Sequence, residues 1–250
     1  MLEGKRSIVT GAGSGMGRAA AVRFAAEGAR VGLIDLDADA AAAVAAEIEA
    51  AGGEALVLQA DVRSEDDVSA AIGRAAAAWD GLDVIVANAG VQLAGQDDRA
   101  DRLALDVWQR TIDINLTGVF LTCKHGIRVL LAGGGGAVVC TCSPTGQYGV
   151  APGYDAYSAS KAGVYGLVRV MAADYAQEGI RVNGVIPGYT NTPMTDWVTE
   201  SDRETLLRGI PLNRPGEPEE VAAVMAFLAS DDTPYVTGAV WAADGGMTAV

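Results

Sequence analysis

The sequence predicts an α/β fold: one doubly wound parallel sheet of about seven strands, with helices on both faces. Two observations carry this. Short, near-continuous apolar runs alternate with longer amphipathic or alanine-rich runs along the 250 residues. That is the pattern of strands buried on both faces and of the helices that cover them. Glycine, proline or aspartate also closes most of the apolar runs, where a strand must turn toward its next helix. No linker or internal repeat divides the chain. A single domain over residues 1–250 is expected, with a small lid around 188–214.

The elements follow in order. Arg6–Thr10 reads as a short buried strand, Gly11–Gly17 as a glycine-rich turn, and Arg18–Glu27 as a helix ended by Gly28. Arg30–Ile34 is a second strand, stopped by Asp35. Asp37 is placed to cap an alanine-rich helix, Ala38–Ala51, which Gly52 and Gly53 end. Ala55–Gln59 is a third strand. Ser64 with Asp67 forms an N-terminal signature for a helix reaching about Trp79, and Asp83–Ala87 is the fourth strand. After the polar stretch Gln96–Asp101, a long helical region spans Leu103–Leu131, with breaks near Asn115 and Gly118. Four glycines precede the strand Ala137–Thr141. Asp155–Gln177 is a long helix, and Arg181–Ile186 a strand stopped by Pro187. Pro218 opens a helix through Ala229, and Ala239–Ala242 is a last short strand.

Composition narrows the function. Half the residues are apolar and 20% are charged, which suits a large core and argues against disorder. The net charge of −14 disfavours nucleic acid, anionic membrane and strongly acidic proteins as partners. No apolar stretch reaches membrane-spanning length, and the N-terminal residues do not read as a signal peptide. Three cysteines, Cys123, Cys140 and Cys142, form an odd, sparse set, so reduced thiols and a cytosolic home are expected.

Two motifs carry chemistry. The first is Thr10-Gly11-Ala12-Gly13-Ser14-Gly15-Met16-Gly17, set between a strand and a helix. Glycines let the backbone approach a pyrophosphate, and the helix N-terminus favours its charge. Asp35 ends the second strand, where a carboxylate accepts the ribose hydroxyls of an adenosine and repels a 2′-phosphate. Neither Ser14 nor Leu36 offers a cation to such a phosphate, so NAD is expected rather than NADP. The second motif is Tyr157 and Lys161, four residues apart and therefore on one helix face. An ammonium beside a phenol favours the phenolate, turning a poor base at neutral pH into a usable one.

With these motifs in place the chain resembles the short-chain dehydrogenases/reductases over nearly its whole length. The matching residues are Thr10 through Gly17, Asp61-Val62, Asn88-Ala89-Gly90, Asn115, Ser143, Tyr157 with Lys161, Pro187-Gly188 and Asp244-Gly245-Gly246. The resemblance implies a Rossmann-type domain holding cofactor and substrate together. It implies that Asp61 and Val62 lie beside the adenine and that Asn88 and Gly90 line the cofactor cleft. Pro187, Gly188, Thr190 and Thr192 are similar to the family's P-G-x-x-x-T and would meet the nicotinamide or phosphates. The implied catalytic tetrad is Asn115, Ser143, Tyr157 and Lys161. In it Tyr157 is the general acid/base, Ser143 orients the reacting oxygen, and Lys161 lowers the tyrosine pKa and binds the nicotinamide ribose. Asn115 would hold a water linking Lys161 to solvent.

The substrate is expected to be a compact secondary alcohol or ketone: a sugar, polyol, cyclic alcohol or hydroxy acid. Gln92, Thr145, Gln147, Tyr148, Tyr154, Met194 and Trp197 are the candidate lining, with Val198 in the lid. No metal site is expected. The resemblance further implies a homotetramer. Helices Leu103–Leu131 and Asp155–Gln177 would pair across one two-fold, and the last helix and strand with Trp241 across another; Val164, Leu167, Val168 and Met171 fit such an interface but also a helix packed only on its own sheet. Two other readings remain: an NADPH-dependent 3-ketoacyl-type ketoreductase, and a non-catalytic dinucleotide-sensing or scaffold protein. Cys140 and Cys142 would share one strand face in the core, Pro144 holds Ser143 extended, and His125 reads as structural or interfacial.

Overall fold

The computed structural model describes residues 1–249 and shows seven strands in one parallel sheet. The strands are β1 (Arg6–Thr10), β2 (Arg30–Asp35), β3 (Glu54–Gln59), β4 (Val84–Ala87), β5 (Gly136–Thr141), β6 (Ile180–Pro187) and β7 (Val240–Ala243), in the order β3-β2-β1-β4-β5-β6-β7. The order reverses between β1 and β4, whose carboxyl ends open a crevice. The expected sheet is therefore present, its strand ends within a residue or so of those read from the sequence.

Helices α1 (Gly15–Ala26), α2 (Ala38–Ala50) and α8 (Pro218–Ala229) cover one face. Helices α3 (Glu65–Trp79), α4 (Leu105–Ile112), α5 (Gly118–Gly133) and α6 (Asp155–Tyr175) lie on the other. Each face has its own core: Phe24, Leu33, Val44 and Met225 on one side, Leu58, Ile72, Ile85 and Val168 on the other. The capping signatures hold. Asp37 accepts from the amides of Asp39 and Ala40, and Ser64 from that of Asp67. Helix α1 begins three residues before the expected Arg18, because the glycine turn supplies its first turn.

Three differences bear on the site. The break expected near Asn115 is a π-helical turn, Asp113–Thr117, that joins α4 to α5 without ending the helix. Such turns cluster at functional sites. The lid contains a helix that the sequence reading left out, α7 (Glu200–Arg208), with Thr199 accepting from the Asp202 amide at its start. And Val164, Val168 and Met171, which from the sequence fit either an interface or packing on their own sheet, are buried against that sheet, with Leu167 half-buried beside them. The exposed apolar residues on these helices are Leu105, Phe120, Leu131 and Val170 instead. Trp241 is partly exposed and stacks on Phe227, ring centroids 5.7 Å apart.

Candidate active site

The glycine turn follows β1 and shapes the first of two adjoining cavities. A Cβ on Gly17 would stand 1.8 Å from the Gly11 carbonyl oxygen, so the turn and α1 pack too closely for any side chain there. Gly11 itself has φ +66°, a left-handed conformation that favours glycine. Gly11, Ser14, Gly15, Met16 and Gly17 line this cavity of about 370 Å³, together with Asp35, Asp61, Val62, Asn88 and Gly90. Asp35 is held in place by the Gly13 amide at 2.8 Å and the Asp37 amide at 3.0 Å. The residues therefore fit an elongated ligand with a phosphate at the glycine turn and hydroxyls near a carboxylate.

Two charged residues of this cavity, Arg63 and Arg110, escaped the sequence reading. Arg63 is committed to Asp61, with Nη2 at 2.5 Å from Oδ2, and that hydrogen bond keeps the Asp61 carboxyl below its usual range.

Asn88 ties the strand ends together beneath both cavities. Its amide donates to Thr10 Oγ1 at 3.0 Å and its Nδ2 to the Thr10 carbonyl at 3.0 Å, while Thr141 Oγ1 donates to its Oδ1 at 2.9 Å. This bonds β1, β4 and β5 at the crevice.

The second cavity, about 260 Å³, shares Met16, Asn88, Gly90, Thr192 and Met194 with the first. Ser143, Tyr157 and Lys161 all stand on its wall, as do Pro187, Gly188 and Thr190. Ser143 follows β5, and its backbone carbonyl accepts from the Tyr165 hydroxyl at 3.0 Å, one helical stretch beyond Tyr157. Its Oγ pairs with Thr145 Oγ1 at 3.0 Å. Burial pushes the Tyr157 phenol up, and the Ser143 hydroxyl partly opposes that.

Lys161 behaves differently from the simple pairing. Its Nζ donates to the Thr141 carbonyl at 2.9 Å and lies 5.8 Å from the centre of the Tyr157 ring. Burial pushes its own pKa down. Asn115, from the π turn, is buried and bonded to Val91 in both directions, each at 2.8 Å, and to Ser160 Oγ at 3.2 Å. Its side-chain oxygen and Lys161 Nζ would stand 3.3 and 3.5 Å from a Cβ on Gly90, so these two groups crowd the one glycine between the cavities.

One positioning device has no local sequence signature. Asp97, from the loop after β4, is 8% exposed and accepts from the amides of Ala156 (3.1 Å) and Tyr157 (2.9 Å). It caps α6, the helix that carries Tyr157 and Lys161, from 59 and 60 residues away. Asp155 returns the contact by accepting from the Ala100 amide at 2.8 Å.

Of the expected substrate residues, Gln92, Thr145, Tyr154, Met194 and Trp197 line the second cavity, with Val198 beside them. Gln147 and Tyr148 do not. They are exposed, because a 3₁₀ turn at Pro144–Gly146 carries the chain out of the cleft. Pro144, Val150, Ala151, Tyr189, Leu206 and Met247 take part in their place. His125 pairs with Glu65 at 3.1 Å beside Lys124, a structural setting. Cys140 lies 3.9 Å from Cys123 in the core and all three thiols are buried. No cluster of ligating side chains able to hold a metal occurs among the described residues.

The crevice between β1 and β4, the glycine turn and the Ser143–Tyr157–Lys161 wall together define an oxidoreductase that works with a nicotinamide dinucleotide. Comparison with known proteins agrees. A family model described as enoyl-(acyl carrier protein) reductase matches residues 11–248. The chain is 46% identical, over 98% of its length and 96% of the relative's, to a cis-4-hydroxycyclohexanecarboxylate dehydrogenase of Sinomonas cyclohexanicum. It is 38% identical, over 98% and 95%, to a cyclohexanol dehydrogenase of an Acinetobacter species. A short-chain type dehydrogenase/reductase from Mycobacterium marinum superposes with a TM-score of 0.94 at 36% identity, over 100% of this chain and 97% of that one. The chain belongs to the short-chain dehydrogenase/reductase family. No helix of the described residues is long and apolar enough to cross a membrane.

Proposed function

We propose that the protein is an NAD-dependent dehydrogenase of small secondary alcohols, with Tyr157 as general acid/base. The observation that carries this is convergence. Ser143, Tyr157 and Lys161 stand on the wall of one cavity, and that cavity adjoins the glycine-lined one across the shared residues Met16, Asn88, Gly90, Thr192 and Met194. When bound, the dinucleotide supplies the hydride acceptor for oxidation and the donor for reduction. The protein's residues do the rest. Tyr157 accepts the alcohol proton on its phenol oxygen and returns it to the ketone. Ser143 Oγ, on an extended backbone set by Pro144 and the Tyr165 hydroxyl, fixes the reacting oxygen. Lys161 contributes positive charge at the base of the cavity and a donor for a ribose hydroxyl. Asn115 holds the Val91 backbone and Ser160, and so the floor on which Lys161 rests.

Asp35 supports NAD, since its carboxylate opposes a 2′-phosphate. The relatives named for cyclohexanol and a hydroxycyclohexanecarboxylate support a ring-bearing secondary alcohol. The ketoreductase reading has its own support. The family model is named for an acyl-carrier-protein reductase, and Arg110 brings a cation to the glycine-lined cavity, where Arg63 is paired with Asp61. Fluorescence titration with NADH and NADPH separates the two readings, and tighter NADPH binding overturns the NAD assignment. Tyr157→Phe tests the chemistry: it keeps NADH binding and loses nearly all turnover, and retained turnover refutes the role. Because burial keeps the free phenol protonated, alcohol oxidation rises with pH and ketone reduction falls as the phenol ionises. The exposed apolar residues Phe120, Leu131, Val170 and Trp241 support a homotetramer, which light scattering tests. Buried free thiols are compatible with a cytosolic setting.

A further inference from the structure

We propose that the substrate cavity accepts uncharged ring alcohols and rejects those that carry a carboxylate across the ring from the reacting hydroxyl. This rests on the dehydrogenase reading above. It departs from what similarity alone suggests, since one close relative is named for a hydroxycyclohexanecarboxylate. A hydroxyl seated at Ser143 and Tyr157 directs the far side of a six-membered ring toward the lid. The lid side of the cavity is walled by Val150, Tyr154, Trp197, Val198, Leu206 and Met247. Tyr154 and Trp197 form one aromatic surface there, ring centroids 6.1 Å apart, suited to an apolar ring face.

Among the described residues no cation lines that side: Lys161 is the one cationic residue lining the cavity, and its Nζ is at the catalytic end, bonded to the Thr141 carbonyl. A group para to the reacting carbon cannot reach it. Arg203 and Arg208 belong to α7 but do not line the cavity. The nearby charges are of the wrong sign: the Tyr154 phenol is pushed up by burial first and then by the field of Asp97 and Asp202. A carboxylate placed here would find no cationic partner, only neutral donors such as the Tyr154 hydroxyl and the Trp197 indole, and would face two like charges.

The test compares cyclohexanol, cis-4-hydroxycyclohexanecarboxylate and the methyl ester of the latter, oxidised at saturating NAD. The ester matches the acid in ring and stereochemistry and differs in charge. The expected result is a kcat/KM for the ester on the order of a hundredfold above that of the acid. Cyclohexanone with NADH should raise the melting temperature of the protein, whereas 4-oxocyclohexanecarboxylate should not. Val150→Lys, which puts a cation at the cavity mouth, should raise the acid-to-ester ratio at least about tenfold. An acid oxidised as well as its ester overturns the proposal, as does equal thermal stabilisation by the two ketones. Turnover of acyclic secondary alcohols with none of the three ring compounds overturns the ring specificity and leaves the dehydrogenase reading standing. Bound NADH with no secondary alcohol oxidised under any condition overturns the reading itself.

Discussion

Removing the Asp97 carboxylate should both loosen the protein and slow its chemistry, and the structure sets the size of each effect. The side chain spans two backbone amides at the start of α6, Ala156 at 3.1 Å and Tyr157 at 2.9 Å, in a site that is 8% exposed. Hydrogen bonds to a charged acceptor contribute about 1.5–3 kcal/mol each, and a typical cap deletion costs about 1 kcal/mol. Two bonds sharing one carboxylate place Asp97→Ala near 3 kcal/mol of destabilisation. For a chain of this size that is a fall of about 6–12 °C in melting temperature. The Tyr157 amide is one of the two donors, so the loss falls on the catalytic residue's own backbone. A displacement of about 1 Å there costs up to about a hundredfold in rate. Calorimetry and steady-state kinetics are read together: kcat should fall by about ten- to a hundredfold with the KM for NAD unchanged. Asp97→Asn keeps one oxygen acceptor and should recover part of both losses. Asp155→Ala cuts the reciprocal bond to Ala100 without touching the Tyr157 amide, so it should lower stability and leave kcat near normal. An Asp97→Ala enzyme with unchanged melting temperature and kcat refutes the reasoning. So does one whose kcat falls no more than that of Asp155→Ala.

Three further outcomes follow from the same structure. Gly17→Ala forces a methyl to within 1.8 Å of the Gly11 carbonyl; it should cost about 1–3 kcal/mol in urea unfolding and abolish NADH fluorescence enhancement. All three thiols should resist an aromatic disulfide reagent at pH 8 in the folded protein and react fully in urea, because they are buried and desolvation pushes Cys142 up to about 12. Burial raises the Asp83 pKa, but the hydrogen bonds and charge of Arg6 outweigh it, so the folded value lies below the unfolded one near about 3.9. Its stabilisation is therefore complete above that pH and lost as pH falls through the folded value. Asp83→Asn should cost about 2 kcal/mol at pH 7 and flatten the acid limb of the stability curve.

How legible each part was depended on the distance over which its signal acts. The glycine turn and the helix caps Asp37 and Ser64 work between residues a few positions apart, and Asp35 ends the strand that follows the turn's helix, so each was readable from spacing. Tyr157 and Lys161 were also readable as one helix face, but the direction of the ammonium was not. A carbonyl at the end of β5 claims it, and that carbonyl reaches Lys161 only through the packing of α6 on the sheet. Asp97 shows the same limit more sharply. It sits in a polar stretch that reads as loop, and its partners lie about sixty residues on. Tyr165 likewise reads as a core aromatic until its hydroxyl is seen on the Ser143 carbonyl. Helix α7 was missed for a different reason. It buries no residue, so the apolar periodicity that reveals the other helices is absent, and only the Thr199–Asp202 cap marks it.

These unreadable contacts share one property: each ties a group of the site to an element distant from it in the sequence. Tyr165 holds the carbonyl of Ser143, Asp97 the amide of Tyr157, Asn115 both backbone groups of Val91, and Thr141 the ammonium of Lys161. The chemistry needs its donors and acceptors placed to within a fraction of an ångström, and loops do not hold that alone. Bonds drawn from β5, α6 and the π turn supply the placement. The lid is organised on the opposite principle. Its helix has no buried residue and its Trp197 is 45% exposed, so few contacts fix it, and what it offers a substrate is an apolar wall with no cation. Rigid backbone placement at one end of the cavity and an uncharged, loosely held wall at the other divide the work. Under the proposed function, the first places the reacting atom and the second selects the ring that carries it.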